Sequence, residues 1–125
     1  MIRGIGTDIV SVQRIEQLLT RHPERGLAHL LHPVEVREAE AASSRERFVA
    51  KRFAAKEAAA KALGTGIGRG ISFQHFIVSN DPSGRPQLEL TGPAKALADS
   101  MQVRSVWLSI SDEQAYACAT VILES

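Results

Sequence analysis

The sequence predicts an α+β fold, with one long helix packed on a small, largely antiparallel sheet. Three observations carry this. Residues 45–63 contain neither glycine nor proline and hold seven alanines, which marks a long helix. Residues 2–10, 104–110 and 116–123 alternate in polarity instead, with the period of a strand. Two polar turns, at 80–84 and 111–114, each separate a pair of short strand-like runs, so those pairs read as hairpins.

Residues 2–10 read as a strand with Arg3, Ile5, Thr7 and Ile9 on one face. Gly4, Gly6, Asp8 and Val10 occupy the other. Ser11 is suited to cap a helix with Val12, Ile15 and Leu19 as its apolar stripe. Pro23 ends that helix, and 27–31 forms a second short one. Pro33 opens a third, over 34–42, at its first turn. Ser43 and Ser44 punctuate the chain and cap the long helix 45–63, which Gly64 stops. Residues 73–79 are a strand, 80–84 a turn and 87–90 the return strand. Gly92 and Pro93 start a short helix through Met101, and the last hairpin bends at 111–114. The sequence shows no repeat, low-complexity tract or linker, so residues 1–125 are expected to form one domain.

Composition narrows the function classes. The apolar share, 44%, is ordinary for a globular chain, and a domain this small gains from oligomerisation. Aromatics make up 5%, too few for stacking platforms along single-stranded nucleic acid. Residues 1–70 hold twelve Lys/Arg against eight Asp/Glu, a net of +4. Residues 71–125 hold three against six, a net of −3. A mildly basic first half suits an anionic ligand or an acidic partner and is too weak for duplex DNA. One cysteine, Cys118, leaves no internal disulfide, which points to the cytoplasm. The first residues lack the apolar run of a signal peptide, and no segment of about 18 apolar residues predicts a membrane span.

Glu57 and Lys61 lie four apart and share a helical face. On spacing alone they form a surface ion pair worth about 0.3–0.5 kcal/mol. The alanines around them leave the helix bare, so another element or a ligand can approach its backbone. Asp8 sits in an apolar strand on the face with two glycines. A buried carboxylate needs a cation or donors. It can bond local amides or an arginine, or pair with Glu57 across the fold to hold Mg²⁺, an ion that takes one or two carboxylates and fills its other sites with water and phosphate oxygens. The glycine-rich loop 64–70 lacks the phosphate-loop lysine pattern and follows a helix rather than preceding one. It reads as a helix cap, or as a cradle in which bare amides and the Thr65 hydroxyl hold a diphosphate. Arg14, Leu18 and Arg21 form one stripe, either a solvated edge or a docking ridge for an acidic helical partner. The four histidines lack metal-ligand spacing, Cys118 reads as core, and no Ser-His-Asp set is evident.

Taken together, these motifs resemble the holo-[acyl-carrier-protein] synthases, the small bacterial class of 4′-phosphopantetheinyl transferases. The resemblance rests on Gly4-Ile5-Gly6-Thr7-Asp8-Ile9 and on Arg14-Ile15 after it. It rests further on Arg52-Phe53-Ala54-Ala55-Lys56-Glu57-Ala58-Ala59-Ala60-Lys61-Ala62-Leu63-Gly64-Thr65-Gly66, on Gly84-Arg85-Pro86 and on Tyr116-Ala117-Cys118-Ala119. It covers essentially the whole chain. It implies transfer of phosphopantetheine from coenzyme A to a serine of apo-acyl carrier protein, with release of adenosine 3′,5′-bisphosphate and a need for Mg²⁺. It implies the 4′-phosphopantetheinyl transferase-like fold and a homotrimer with coenzyme A between subunits. Asp8 and Glu57 match the family's metal ligands and, with Lys61, its catalytic set. Lys61 matches the diphosphate lysine, Gly64, Thr65 and Gly66 the phosphate loop, and Gly84, Arg85 and Pro86 the adenine-contacting turn. Arg52 falls near the coenzyme A site, and Arg14 and Arg21 match carrier-protein-docking positions. One departure is visible: Asp112 stands where many members carry a histidine near the nucleotide phosphate. No role passes to Asp112, and Arg45 or Arg69 is the base expected to stand in. Against the transferase stands a non-enzymatic nucleotide- or nucleic-acid-binding module, which would want positive charge without two metal-suited carboxylates.

Overall fold

A computed structural model describes residues 1–125. Strand β1 (Ile2–Ser11) opens the chain, followed by helices α1 (Val12–Arg21), α2 (Pro23–Leu30), α3 (Pro33–Ala41) and α4 (Arg45–Ala62). A 3₁₀ turn (Phe73–His75) leads into hairpin β2 (Phe76–Asn80) and β3 (Pro86–Leu90). Helix α5 (Gly92–Ser100) and hairpin β4 (Ser105–Asp112) and β5 (Tyr116–Glu124) complete the chain. The sheet is divided: β1, β5 and β4 make one antiparallel sheet with β5 central, and β2 and β3 make a separate hairpin. The expected α+β class, with a long helix against small antiparallel sheets, is what the chain adopts.

The local readings hold with three adjustments. Pro23 opens α2 at its first turn rather than only ending α1, because proline's missing N–H is no loss there. Residues 73–75 form a helical turn, not the start of a strand, because the His75 ring accepts from the Ser72 amide and closes the turn. The expected caps are present: Ser11 accepts from the Arg14 amide and Ser44 from the Arg47 amide. Arg104 lies just outside β4, although its amide still donates to Glu124 O.

Helix α4 is the axis of the molecule. Val49, Ala50, Phe53, Ala54, Ala55, Ala58, Ala59, Ala60 and Ala62 are buried on several sides at once. Its alanine surface is met by the inward face of the sheet: Gly6, Val10, Ala117, Ala119, Val121 and Leu123. Strand β1 comes closest. A Cβ on Gly4 would collide with Ala62 O, and one on Gly6 with Ala58 O, so only glycine lets the strand lie against the helix backbone. The outward face of the same sheet stays open, with Ile5 and Ile9 each 64% exposed.

Candidate functional site

The close approach of β1 to α4 brings Asp8 over the helical turn that carries Glu57 and Lys61. Lys61 Nζ donates to Asp8 Oδ1 at 3.0 Å and to Thr7 O at 3.1 Å. The lysine therefore pairs across the fold with Asp8, not along the helix with Glu57 as spacing alone suggests. Lys61 remains half exposed, while the Asp8 side chain is 15% exposed. Asp8 Oδ2 is buried and has no hydrogen-bond partner. Burial pushes the Glu57 carboxyl above its ordinary value of 4.5. The charge of Asp8 pushes it further, and Lys61 and then Arg14 pull it back. Two carboxylates and two cations thus face one another at one end of β1, and the strand acid and the helix acid converge.

No group of three or more His, Cys, Asp or Glu side chains is placed to hold a metal. A two-carboxylate arrangement is the alternative, and it is the arrangement Mg²⁺ uses with phosphate ligands. The orphaned Asp8 oxygen beside a carboxyl raised by burial and then by Asp8 is short of positive charge, which a divalent ion would supply.

The loop after α4 is committed to capping. The amides of Thr65 and Gly66 both donate to Ala60 O, and that of Gly64 to Lys61 O. The Thr65 hydroxyl donates to Gly66 O at 2.8 Å. The loop amides of Ile67, Arg69 and Gly70 make no hydrogen bond. At the 81–85 turn, Asp81 Oδ1 accepts from Ser83 and from the Arg85 amide, which lowers the Asp81 pKa. That turn presents Arg85 over the Trp107 ring, 5.5 Å from its centre. Arg85 and Pro86 line a cavity of about 560 Å³ with Trp107, Ser109, Thr120 and Ile122.

On α1, Arg14, Leu18 and Arg21 line one groove with Phe53 at its floor. Arg14 lies 5.8 Å from the Phe53 ring centre and near enough to act on Glu57, so this groove and the carboxylate cluster are contiguous.

Arg52 is not gathered with these residues. Its guanidinium lies on the α3 side of α4, 3.7 Å from both Glu35 and Glu38 and 4.4 Å above the Phe48 ring. The expected stand-ins for the histidine are also elsewhere or unengaged. Arg45 lines a cavity with Glu24 and Glu40, and Arg69 makes no side-chain bond. The cations at Asp112 are Arg47, at 3.2 Å, and Lys51, at 3.8 Å. Arg47 also donates to Glu113 O and Gln114 O, fastening the last bend to the start of α4. The four-residue spacing of Arg47 and Lys51 puts the two cations on one helical face, but nothing local names Asp112 as their partner.

The sequence reading also passed over Lys56, which is fully buried with Glu35. Their ion pair is 2.5 Å, and Lys56 donates also to Leu30 O. Its place in an alanine run, four residues after Arg52, signals a polar stripe on the helix, but no local period names Glu35 as its partner.

Residues 4–121 match the profile of the 4′-phosphopantetheinyl transferase superfamily. The holo-[acyl-carrier-protein] synthase of Alkalilimnicola ehrlichii is 54% identical over 126 residues, covering 100% of this chain and 98% of that protein. The crystal structure of the Neisseria meningitidis holo-[acyl-carrier-protein] synthase superposes with a TM-score of 0.92 at 40% identity over 100% of both chains. That of the Helicobacter pylori enzyme in complex with coenzyme A gives 0.84 at 34% identity, over 96% of this chain and 99% of that one. With its carboxylate pair, its glycine-lined strand and its full-length likeness to these proteins, the chain belongs to the 4′-phosphopantetheinyl transferase superfamily, among its holo-[acyl-carrier-protein] synthases.

Proposed function

We propose that this chain transfers 4′-phosphopantetheine from coenzyme A to a serine hydroxyl of apo-acyl carrier protein, releasing adenosine 3′,5′-bisphosphate. The convergence of Asp8 and Glu57 beside Lys61 carries the reading, and the relatives' shared activity supports it. Asp8 and Glu57 would hold Mg²⁺. When bound, the ion supplies charge neutralisation for the diphosphate of coenzyme A.

The serine oxygen attacks the phosphorus that bears pantetheine, and the bond from that phosphorus to the bridging oxygen breaks. Phosphoryl transfer asks the protein mainly for position and for charge on the leaving oxygens. Lys61, half exposed and tethered at Asp8, offers its ammonium to the diphosphate. Glu57 accepts the serine proton, a role its raised proton affinity favours. The loop at Gly64, Thr65 and Gly66 borders the diphosphate. Its unpaired amides are those of Ile67, Arg69 and Gly70. Gly84, Arg85 and Pro86 present backbone and an arginine at the cavity suited to adenine. Arg14 and Arg21 receive an acidic carrier protein beside Phe53.

The homotrimer implied by the family resemblance is supported by the open sheet face. Trp107, Ser109, Thr120 and Ile122 line the nucleotide cavity and also lie on that face, so a neighbouring subunit covering it would wall the cavity. No helix is long and apolar enough to cross a membrane, which suits work in the cytoplasm.

Incubation with coenzyme A, Mg²⁺ and apo-acyl carrier protein, followed by mass spectrometry of the carrier protein, tests the reaction. A gain of one phosphopantetheine is expected. No gain, with coenzyme A still bound, would leave a binding module instead.

A further inference from the structure

From Ala54 to Ala62, beyond the larger Val49 and Phe53, helix α4 presents alanine as its only apolar residue. Side chains of one size form no distinctive ridges, so packing alone defines poorly how the helix is turned about its axis. A rotation of one residue would offer β1 another alanine carbonyl as bare as the first. Yet the reaction needs Glu57, and not Ala58 or Lys56, to face Asp8.

Two polar stripes interrupt the alanines. Glu57 and Lys61 form one, turned to β1. Arg52 and Lys56 form the other, turned to α3. Adjacent residues are 100° apart around a helix, so fixing Lys56 fixes the direction of Glu57. Lys56 is fixed tightly. Its ammonium is fully buried and donates to Glu35 Oε1 and to Leu30 O at the end of α2. Glu35 Oε1 also accepts from the His32 amide, and Oε2 from the Val78 amide of β2, at 2.9 Å each. The Lys56–Glu35 pair thus joins α2, α3, α4 and β2.

A buried ion pair is weak evidence for stability, since apolar residues of equal volume often serve as well, and such pairs are best attested where they set register. We propose that Lys56, held by Glu35, is a positioning residue that sets the rotation of α4 and so aims Glu57 at Asp8. The proposal rests on Asp8 and Glu57 being the divalent-ion site.

The test compares the full chain with Lys56→Met and Glu35→Gln/Lys56→Met, which keep the buried volume. Binding of Mn²⁺ alone is measured by calorimetry, and turnover is measured at saturating coenzyme A. All samples contain trimethylamine N-oxide, which favours the folded state. Circular dichroism reports folding. The expected result is a folded variant whose Mn²⁺ affinity and kcat each fall tenfold or more. KM for the carrier protein, which docks on α1, stays within twofold. A folded double variant with Mn²⁺ affinity and kcat within twofold of the parent overturns the proposal. So does a double variant that does not fold even with the osmolyte, since that assigns the pair to folding alone. Asp8→Ala separates the two readings. If it binds Mn²⁺ as the parent does, the ion site itself is wrong. If it loses binding while the Lys56 variants keep it, only the positioning role falls.

Discussion

Glu57 sets chemistry and stability against each other within one side chain. Its carboxyl is raised above 4.5 by burial first and by Asp8 second. The folded chain therefore binds this proton more tightly than the unfolded chain does. The stability linked to that proton is fully present below 4.5 and is lost as pH rises through the higher, folded value. Glu57→Gln removes the charge and should make the metal-free protein more stable at pH 7, by about 1 kcal/mol or less because solvent screens part of the repulsion. Urea unfolding of both proteins from pH 4 to 8 checks it. The gap should close toward pH 4 and open above it, and a variant less stable than the parent at pH 7 contradicts the assignment. Asp8→Ala should likewise keep its fold and lose about 10²-fold or more in turnover, as expected when a charge aimed at the reacting group is removed. Near-normal turnover in a folded Asp8→Ala protein would exclude Asp8 from the site.

At the scale of elements, the fit of β1 on α4 is the contact on which the site depends, and it was half legible in the sequence. The alanine run and the Gly4-Gly6 alternation each announced a bare surface, and the two bare surfaces meet. Gly6→Ala should therefore cost about 3 kcal/mol or more, because the new methyl meets backbone that cannot move aside. Gly84→Ala meets open space and is opposed only by its φ of +92°, so about 1 kcal/mol is expected. Thermal unfolding of the two variants decides, and equal losses would deny the close approach. Asp8, Glu57 and Lys61 were readable because strand alternation and helical spacing place side chains on faces by local geometry. The Lys56–Glu35 pair was not, because its partners lie in α2, α3 and β2, and no local period links them. The same limit hid the division of the sheet. Residues 76–80 and 86–90 alternate as well as the others do, and only tertiary packing keeps that hairpin off β4's hydrogen-bonded edge. The clamp of Arg47 on residues 112–114 was likewise out of reach, since it joins segments 65 and more residues apart.

The whole molecule is organised around an imbalance between the two faces of its three-stranded sheet. The inner face is buried against α4. The outer face carries Ile5 beside Ile122 and Trp107 in one row, and Ile9 beside Cys118 in another. Ile5, Ile9 and Trp107 are large apolar side chains left substantially exposed in the single chain. Two apolar rows, parted by the polar row of Thr7, Thr120 and Ser109 and left exposed, mark an association surface rather than a solvent boundary. Self-association is the economical answer for a thin-cored domain of 13.6 kDa. Light scattering of the parent should then give about three chains per particle, with a melting temperature that rises with protein concentration. Ile9→Asp places a charge in the middle of that face, where the folded monomer tolerates it because the position is exposed. It should yield a single-chain particle that remains folded. Because Trp107, Thr120 and Ile122 belong both to this face and to the cavity beside Arg85, the same variant should also bind coenzyme A at least tenfold more weakly. A folded Ile9→Asp protein that keeps the parent's mass would remove this face from the assembly. One that becomes monomeric yet binds coenzyme A as before would show that the cavity is complete within one chain.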